Sequence, residues 1–348
     1  MVARKKILDV LNGGREEIPP IWLMRQAGRY LPEYQKVRAS AGGFLELVFN
    51  PELASEVTLQ PIRRYGFDAA ILFSDILVVP QALGRSVRFD AGEGPRLLPA
   101  DSQFIASLPD WNINLEVFSP VYETVGLIRE GLRHEGYDGT ALIGFAGAPW
   151  TVACYMIEGG GSHNYAFSRS WAENRVEELA VLIESLSEVT IAYLVGQVKA
   201  GAEVLQIFDS WAGLLTDQTD FRRWVIEPTR KIVMAVKEAC PHIPVIGFPR
   251  GAGPLYEDYV KETGVQAIAL DQHVSMAKAR NYQSALPVQG NLDPEILRSG
   301  EGLEKAASDI ISALSHGPHI FNLGHGIVKE TPPEHIARLM QAVRRMKE

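Results

Sequence analysis

The chain has 348 residues and a formal net charge of −8, with 46% hydrophobic and 22% charged residues. A pI near 5.6 excludes a general affinity for nucleic acid or anionic membrane surfaces. The two cysteines, Cys154 and Cys240, lie far apart without CxxC spacing. That excludes a disulfide framework and a thiolate zinc site, and points to a reducing, cytoplasmic setting.

The N-terminal MVARKKILDVLNGG starts basic but lacks the long apolar core of a signal peptide. No run of 18 apolar residues predicts a membrane span. A first strand is expected over Ile18–Met24, leading into a basic stretch, Met24–Arg38. That stretch holds Arg25, Arg29, Lys36 and Arg38 against one acid, Glu33. A basic cluster in an acidic chain is a place to hold anions, and arginine grips a carboxylate through two parallel bonds. Taken alone, such a cluster reads equally well as a solvated basic turn.

A helix follows over 51–65, with Asn50 as its cap and Pro51 at its first position. Further strands are expected at 68–73, 140–145, 203–208, 245–248, 267–270, 287–289 and 319–323. Helices alternate with them at 117–135, 171–200, 220–239 (kinked at Pro228), 255–263, 275–282, 294–315 (capped by Asp293) and 333–347. Only Gly84–Leu115 breaks the rhythm, as a turn-rich insertion. Eight strand–helix units in one chain predict an α/β fold, a single-domain (β/α)8 barrel over residues 1–348. A doubly wound sheet would want a GxGxxG turn after the first strand, and none is there.

In such a barrel the site lies where the strands end. Those ends carry Arg25 and Arg29, Ser74 with Asp75, Ala148-Pro149-Trp150 with Tyr155, Asp209 with Ser210, Arg250, Asp271, Asn291 and His325. Each has a bland reading. Asp75 serves as a helix cap, Tyr155 as packing, His325 as a structural histidine, and Asp209 with Ser210 as another cap. Their predicted convergence at one end of one barrel favours a site. No His and Cys ligand cluster accompanies them, so no metal is expected.

Six strings carry a resemblance to a known family: MRQAGRYLPEY at Met24–Tyr34, FSDILVVPQALG at Phe73–Gly84, GFAGAPWT at Gly144–Thr151, YMIEGGGS at Tyr155–Ser162, QGNLDP at Gln289–Pro294 and FNLGHGI at Phe321–Ile327. From about Pro19 to the last helix the chain resembles uroporphyrinogen decarboxylase. The resemblance implies a cofactor-free carboxy-lyase that converts the four acetate arms of uroporphyrinogen III to methyl groups. The product, coproporphyrinogen III, feeds haem and related tetrapyrroles. The resemblance also implies a homodimer.

Carried over by motif position, Arg25, Arg29 and Arg38 are implied to bind substrate carboxylates, and Asp75 to accept the pyrrole N–H groups. Tyr155, Ser210 and His325 are implied pocket contacts. Asp75, Tyr155, His325 and Arg25 are the catalytic candidates. The proton donor stays open among histidine, with the best-matched intrinsic pKa, tyrosine, which needs a large shift, and arginine, which barely gives up protons. Two other classes compete. A corrinoid-linked methyltransferase on a related barrel would need thiolate-bound zinc. A non-catalytic tetrapyrrole carrier would keep the arginines without needing Asp75.

Overall fold

A computed structural model of the chain describes residues 3–90, 94–108 and 113–345. Its strands are β1 (Ala69–Ile71), β2 (Val87–Asp90), β3 (Gly94–Leu97), β4 (Ala141–Gly147), β5 (Val204–Asp209), β6 (Val245–Pro249), β7 (Ala267–Ala269), β8 (Val288–Gln289) and β9 (His319–Ile320). Seven of them form one curled sheet in the order β1-β4-β5-β6-β7-β8-β9. Every neighbouring pair in it is parallel. All residues of β4, β5 and β6 are buried. Helices cover the outer face, so these strands read as near-continuous apolar runs.

The expected first strand, 18–24, forms only a single parallel bridge, Ile21 to Phe321. The cause lies in Pro19 and Pro20, which have no N–H to give a ladder. The segment still closes the barrel. The Phe321 N–H donates to the Pro20 carbonyl (2.8 Å), and the Asp68 N–H to the Ile21 carbonyl (2.9 Å). The Ile21 N–H turns instead to Asp68 Oδ2 (2.8 Å). Residues around Ile21 thus act as the eighth stave, between β9 and β1. Inside the barrel, Trp22 Nε1 donates to Gln289 Oε1 (2.9 Å), and Gln289 Nε2 to Gln206 Oε1 (3.1 Å). This polar ladder links the Ile21 stave, β8 and β5 across the barrel interior.

The helix Pro51–Tyr65 matches its prediction, and Asn50 accepts the Leu53 N–H (2.9 Å) as cap. Other helices are more broken than periodicity predicts. The 171–200 span is two helices, Ala166–Asn174 and Val176–Ala200, parted at Arg175. The Arg175 guanidinium stacks on Trp171 (3.8 Å to the centroid) and bonds Ser102 Oγ (2.7 Å) and Glu178. The 220–239 span begins as a short helix, widens to a π-type turn over Arg222–Ile226, and continues as Glu227–Ala239. Pro228, just past that turn, has no N–H for the ordinary ladder. The 294–315 span divides into Pro294–Ser299 and Leu303–Ala313, because Gly300 and Gly302 adopt left-handed backbone. The last helix is Pro333–Arg344, and the end of its expected range, 346–347, lies outside the described residues.

The 84–115 insertion contains the antiparallel β2–β3 hairpin and a helix, Ser102–Ser107. Among the described residues one helix, Val176–Ala200, is long and apolar enough to span a membrane, and half of its most apolar window is buried inside the protein. It packs against β4 and against the helices Pro149–Glu158 and Glu227–Ala239.

Candidate active site

Arg25 stands at the end of the first stave with φ +64°. A left-handed conformation is uncommon for a residue with a Cβ and survives only where the surroundings fix it. Here they do. The Met24 N–H donates to Asn322 Oδ1 (3.0 Å), and the Ile327 N–H to the Met24 carbonyl (2.9 Å). On the other side Gln26, fully buried, accepts the Leu23 N–H (3.1 Å) and donates to the Ala69 carbonyl (3.0 Å). Gly326 completes the seat. A Cβ there would come within 2.3 Å of Arg25 Cδ. Of the two glycines flanking His325, Gly326 serves the arginine's approach, while Gly324 lies against the Gln272 backbone.

The Arg25 side chain is solvent-accessible yet surrounded, as in the wall of an open cleft. Burial lowers its pKa, and Arg29 and Arg250 add to the lowering, while Tyr155 and Asp75 oppose it. Four predicted strand-end groups thus lie within electrostatic reach of Arg25. Asp75 follows β1. Its Oδ1 accepts the Leu77 N–H (2.8 Å), so the cap-like turn and the site position coexist. Burial raises its pKa to about 6, against the Leu77 bond and Arg25. Tyr155 projects from the helix Pro149–Glu158, packed near Trp211 (6.2 Å between centroids) and Tyr165 (6.5 Å). Burial raises its pKa, and the Asp75 charge adds to this. Tyr165 has φ +50°.

His325 follows β9 and is half-buried, with Nδ1 buried and unpartnered. Burial, then the charges of Arg250 and Arg25, lower its pKa to about 3. The imidazole is therefore neutral near pH 7. Ser210 is half-buried just past β5. Its neighbour Asp209 is fully buried, with Oδ1 accepting from Thr151 Oγ1 (2.5 Å). Thr151 Oγ1 in turn accepts the Trp211 N–H (3.0 Å). Burial raises the Asp209 pKa to about 7. Asp209 organises the turn that carries Ser210 and Trp211 through Thr151.

Arg38 is the predicted site residue set apart. It is half-buried on the helix Pro32–Ser40, 5.8 Å from the Phe44 ring centroid, and it acts on Tyr34. Arg29, which is exposed, acts on both Arg25 and Tyr34 and so bridges rim and cleft. Asp271 and Asn291 prove to be scaffold. Asp271 accepts from the Gly251 N–H (2.8 Å) and Tyr256 O–H (2.9 Å), and Asn291 Nδ2 donates to the Asp271 and Val274 carbonyls. Sequence reasoning missed Gln26, Trp211 and Tyr165. Gln26 lay inside the most distinctive motif, which was a usable signal. The two aromatics gave none.

None of Arg25, Arg29, Arg38 and Arg250 has an ion-pair partner among the described residues. The carboxylate acting on Arg25 is Asp75. Unpaired guanidinium groups in a walled cleft suit a ligand carrying several carboxylates, and Asp75 offers one negative charge to whatever such a ligand holds over it.

Residues 3–346 match the family model described as uroporphyrinogen decarboxylase (URO-D). The uroporphyrinogen decarboxylase of Rhodospirillum rubrum is 53% identical over 343 residues, covering 98% of this chain and 97% of that protein. That of a Chelativorans species is 52% identical over 344 residues, covering 99% of each. Among solved structures, a methyltransferase from Methanosarcina mazei aligns over 99% of this chain and 98% of its own, with a TM-score of 0.79 and 20% identity. At that identity the likeness is one of fold, and it supports the barrel architecture.

Proposed function

The chain belongs to the uroporphyrinogen decarboxylase family, and from that premise we propose that its barrel mouth decarboxylates the acetate arms of uroporphyrinogen III. The observation that carries this reading is the set of unpaired arginines around a lone carboxylate, Asp75. The substrate brings eight carboxylates to neutralise the first and pyrrole N–H groups to meet the second.

Each turnover replaces –CH2–COO⁻ by –CH3. Protonation of a pyrrole carbon makes a cation. The arm's C–C bond breaks, its electron pair flows into that cation, and carbon dioxide leaves. A proton then reaches the freed methylene while the ring carbon returns its own, so one proton is consumed per carbon dioxide. Asp75, ionised above about pH 6, stabilises the cation as it forms. An arginine paired tightly with the departing carboxylate would stabilise the ground state. Arg29 and Arg38 therefore hold arms that stay. Ser210 and Tyr155 line the cleft beside the ring. Of the three candidate proton donors, His325 is not in its acidic imidazolium form near neutrality and Tyr155 is made less acidic. Arg25 is the one made more acidic by its surroundings. That supports Arg25 as donor and His325 as a neutral hydrogen-bonding contact.

Nothing favours the methyltransferase alternative. Among the described residues no three His, Cys, Asp or Glu side chains gather as metal ligands would. A cytoplasmic setting, supported by two unbridged cysteines, and a single-domain homodimer belong to the same proposal. Incubation with uroporphyrinogen III tests the function. Carbon dioxide release with accumulation of coproporphyrinogen supports it. Binding without carbon dioxide release overturns it in favour of a carrier.

A further inference from the structure

Resting on the decarboxylase reading, we infer that Arg250 is a further substrate-binding residue. It grips a peripheral carboxylate from the side of the mouth opposite the Met24–Arg38 stretch, and so fixes which arm lies over Asp75. The argument starts from topology. Counting round the closed barrel from the Ile21 stave, β6 is the fourth neighbour in either direction. Arg250, the first residue after β6, therefore rises directly across the mouth from Arg25. Its guanidinium nevertheless shares the cleft, since its charge acts on both Arg25 and His325.

The residue is half-buried and lacks an ion-pair partner. An arginine kept only for structure would be expected to meet a carboxylate or a carbonyl, because an unpaired, partly desolvated charge is costly. Arg250 shares the cleft with a second cation, Arg25, and with the neutral His325 imidazole instead. Its backbone leaves little freedom to turn away. The Arg250 N–H donates to the Asp209 carbonyl (3.0 Å), and its carbonyl accepts the Gly213 N–H (3.1 Å). The next N–H, of Gly251, is held by Asp271 Oδ2 (2.8 Å). Gly213 packs so closely that a Cβ would lie 2.6 Å from the Gly251 carbonyl oxygen. A cation carried on a backbone held this firmly, with no internal counter-charge, is available to an anion from outside. A macrocycle held by carboxylates at opposite edges cannot rotate in its own plane, whereas one held at a single edge can.

Arg250→Gln and Arg250→Lys, with the parent, should be assayed for turnover of uroporphyrinogen III and, separately, for equilibrium binding of its stable oxidised form, uroporphyrin, by fluorescence quenching. In Arg250→Gln, KM and the porphyrin Kd should both rise about tenfold or more, the scale of one charge-assisted contact, with kcat changed much less. Partly decarboxylated porphyrinogens should appear in solution. Arg250→Lys should recover part of the affinity but less of the product distribution, because the fork is lost. Unchanged KM and Kd in Arg250→Gln would overturn the inference, as would a fall in kcat alone. If the parent releases no carbon dioxide, the decarboxylase reading fails, while the porphyrin Kd still decides whether Arg250 binds the carboxylated ring. Arg250→Lys serves both assays if Arg250→Gln does not fold.

Discussion

The arginines on the outside of the barrel and those in its mouth live by opposite arrangements. Outside, Arg63 grips Glu135 through two bonds of 2.7 Å and also reaches Glu56. Arg222 meets Glu262, and Arg338 meets Glu304, in the same two-pronged way. In the mouth Arg25, Arg29 and Arg250, and apart from them Arg38, have no such partner among the described residues. The outer pairs are complete within the chain and contribute modestly to stability. The mouth is incomplete within the chain, and on the proposed reading its missing anions are those the substrate carries. The difference teaches that unpaired charge, rather than charge alone, marks the site in an acidic protein.

The largest effect should come from removing the mouth's counterpart to those cations. Asp75→Asn should keep the fold and cut kcat by about 10²-fold or more, the scale of losing one preorganised charge. Near-parental turnover would sink its role. The same group sets a pH dependence. Its folded pKa is raised from 3.8 to about 6, so the ionised form is lost as pH falls through about 6. In the parent, kcat/KM should decline below that value, and His325, lowered to about 3, should add no limb between pH 5 and 9. Stability carries the opposite sign. A raised carboxyl pKa favours the fold at low pH, and that contribution fades as pH climbs from about 4 to about 6. An activity limb at 6 that survives in Asp75→Asn would assign it to another group.

A smaller loss should follow from crowding the Arg25 seat without touching any charge. In Gly326→Ala the new methyl must displace Arg25 Cδ, which it would otherwise approach to 2.3 Å. A misplacement of about 1 Å at a reacting group can cost up to about 10²-fold, and Arg25 has some room to yield toward the open cleft. About tenfold lower kcat/KM, with circular dichroism unchanged, is the expected result. Parental kinetics would show that Arg25 need not hold its present position.

How much of this was legible depends on where the determining contacts lie. The alternation of strand and helix was readable, because burial on both faces writes apolar runs directly into β4, β5 and β6. The strand-end residues Arg25, Asp75, Tyr155 and His325 were readable once the barrel was, since strand direction alone places them at one end. The first stave was placed at 18–24, but its reduction to a single bridge was not foreseen, because Pro19 and Pro20 read as part of an apolar run while removing its donors. The separation of Arg38 from Arg25 was hidden, since proximity in sequence does not say that Arg38 would turn to Phe44 and Tyr34 on the helix Pro32–Ser40. The service of Asp209 to Trp211 runs through Thr151, distant in the chain. Nothing local in the FDS stretch could announce it.

The smallest effect is expected on the outer side of the comparison. Arg63 is the most fully paired arginine named here, yet its side chain is 37% exposed and those of Glu56 and Glu135 are 41% and 32% exposed. Solvent screens such pairs, and holding three long side chains in one arrangement costs rotamer freedom. Arg63→Gln should therefore lower stability by roughly 0.2–1 kcal/mol, a difference that shrinks in high salt as screening weakens the pairs in the parent. Turnover should be unaffected, because Arg63 sits on the helix Pro51–Tyr65 facing Glu135, on the outside of the wall. Denaturant unfolding at low and high salt, beside steady-state kinetics, reads both quantities. A stability loss of several kcal/mol would make the outer network structural in its own right, and a loss of turnover would mean the two sets of arginines are coupled through the barrel wall.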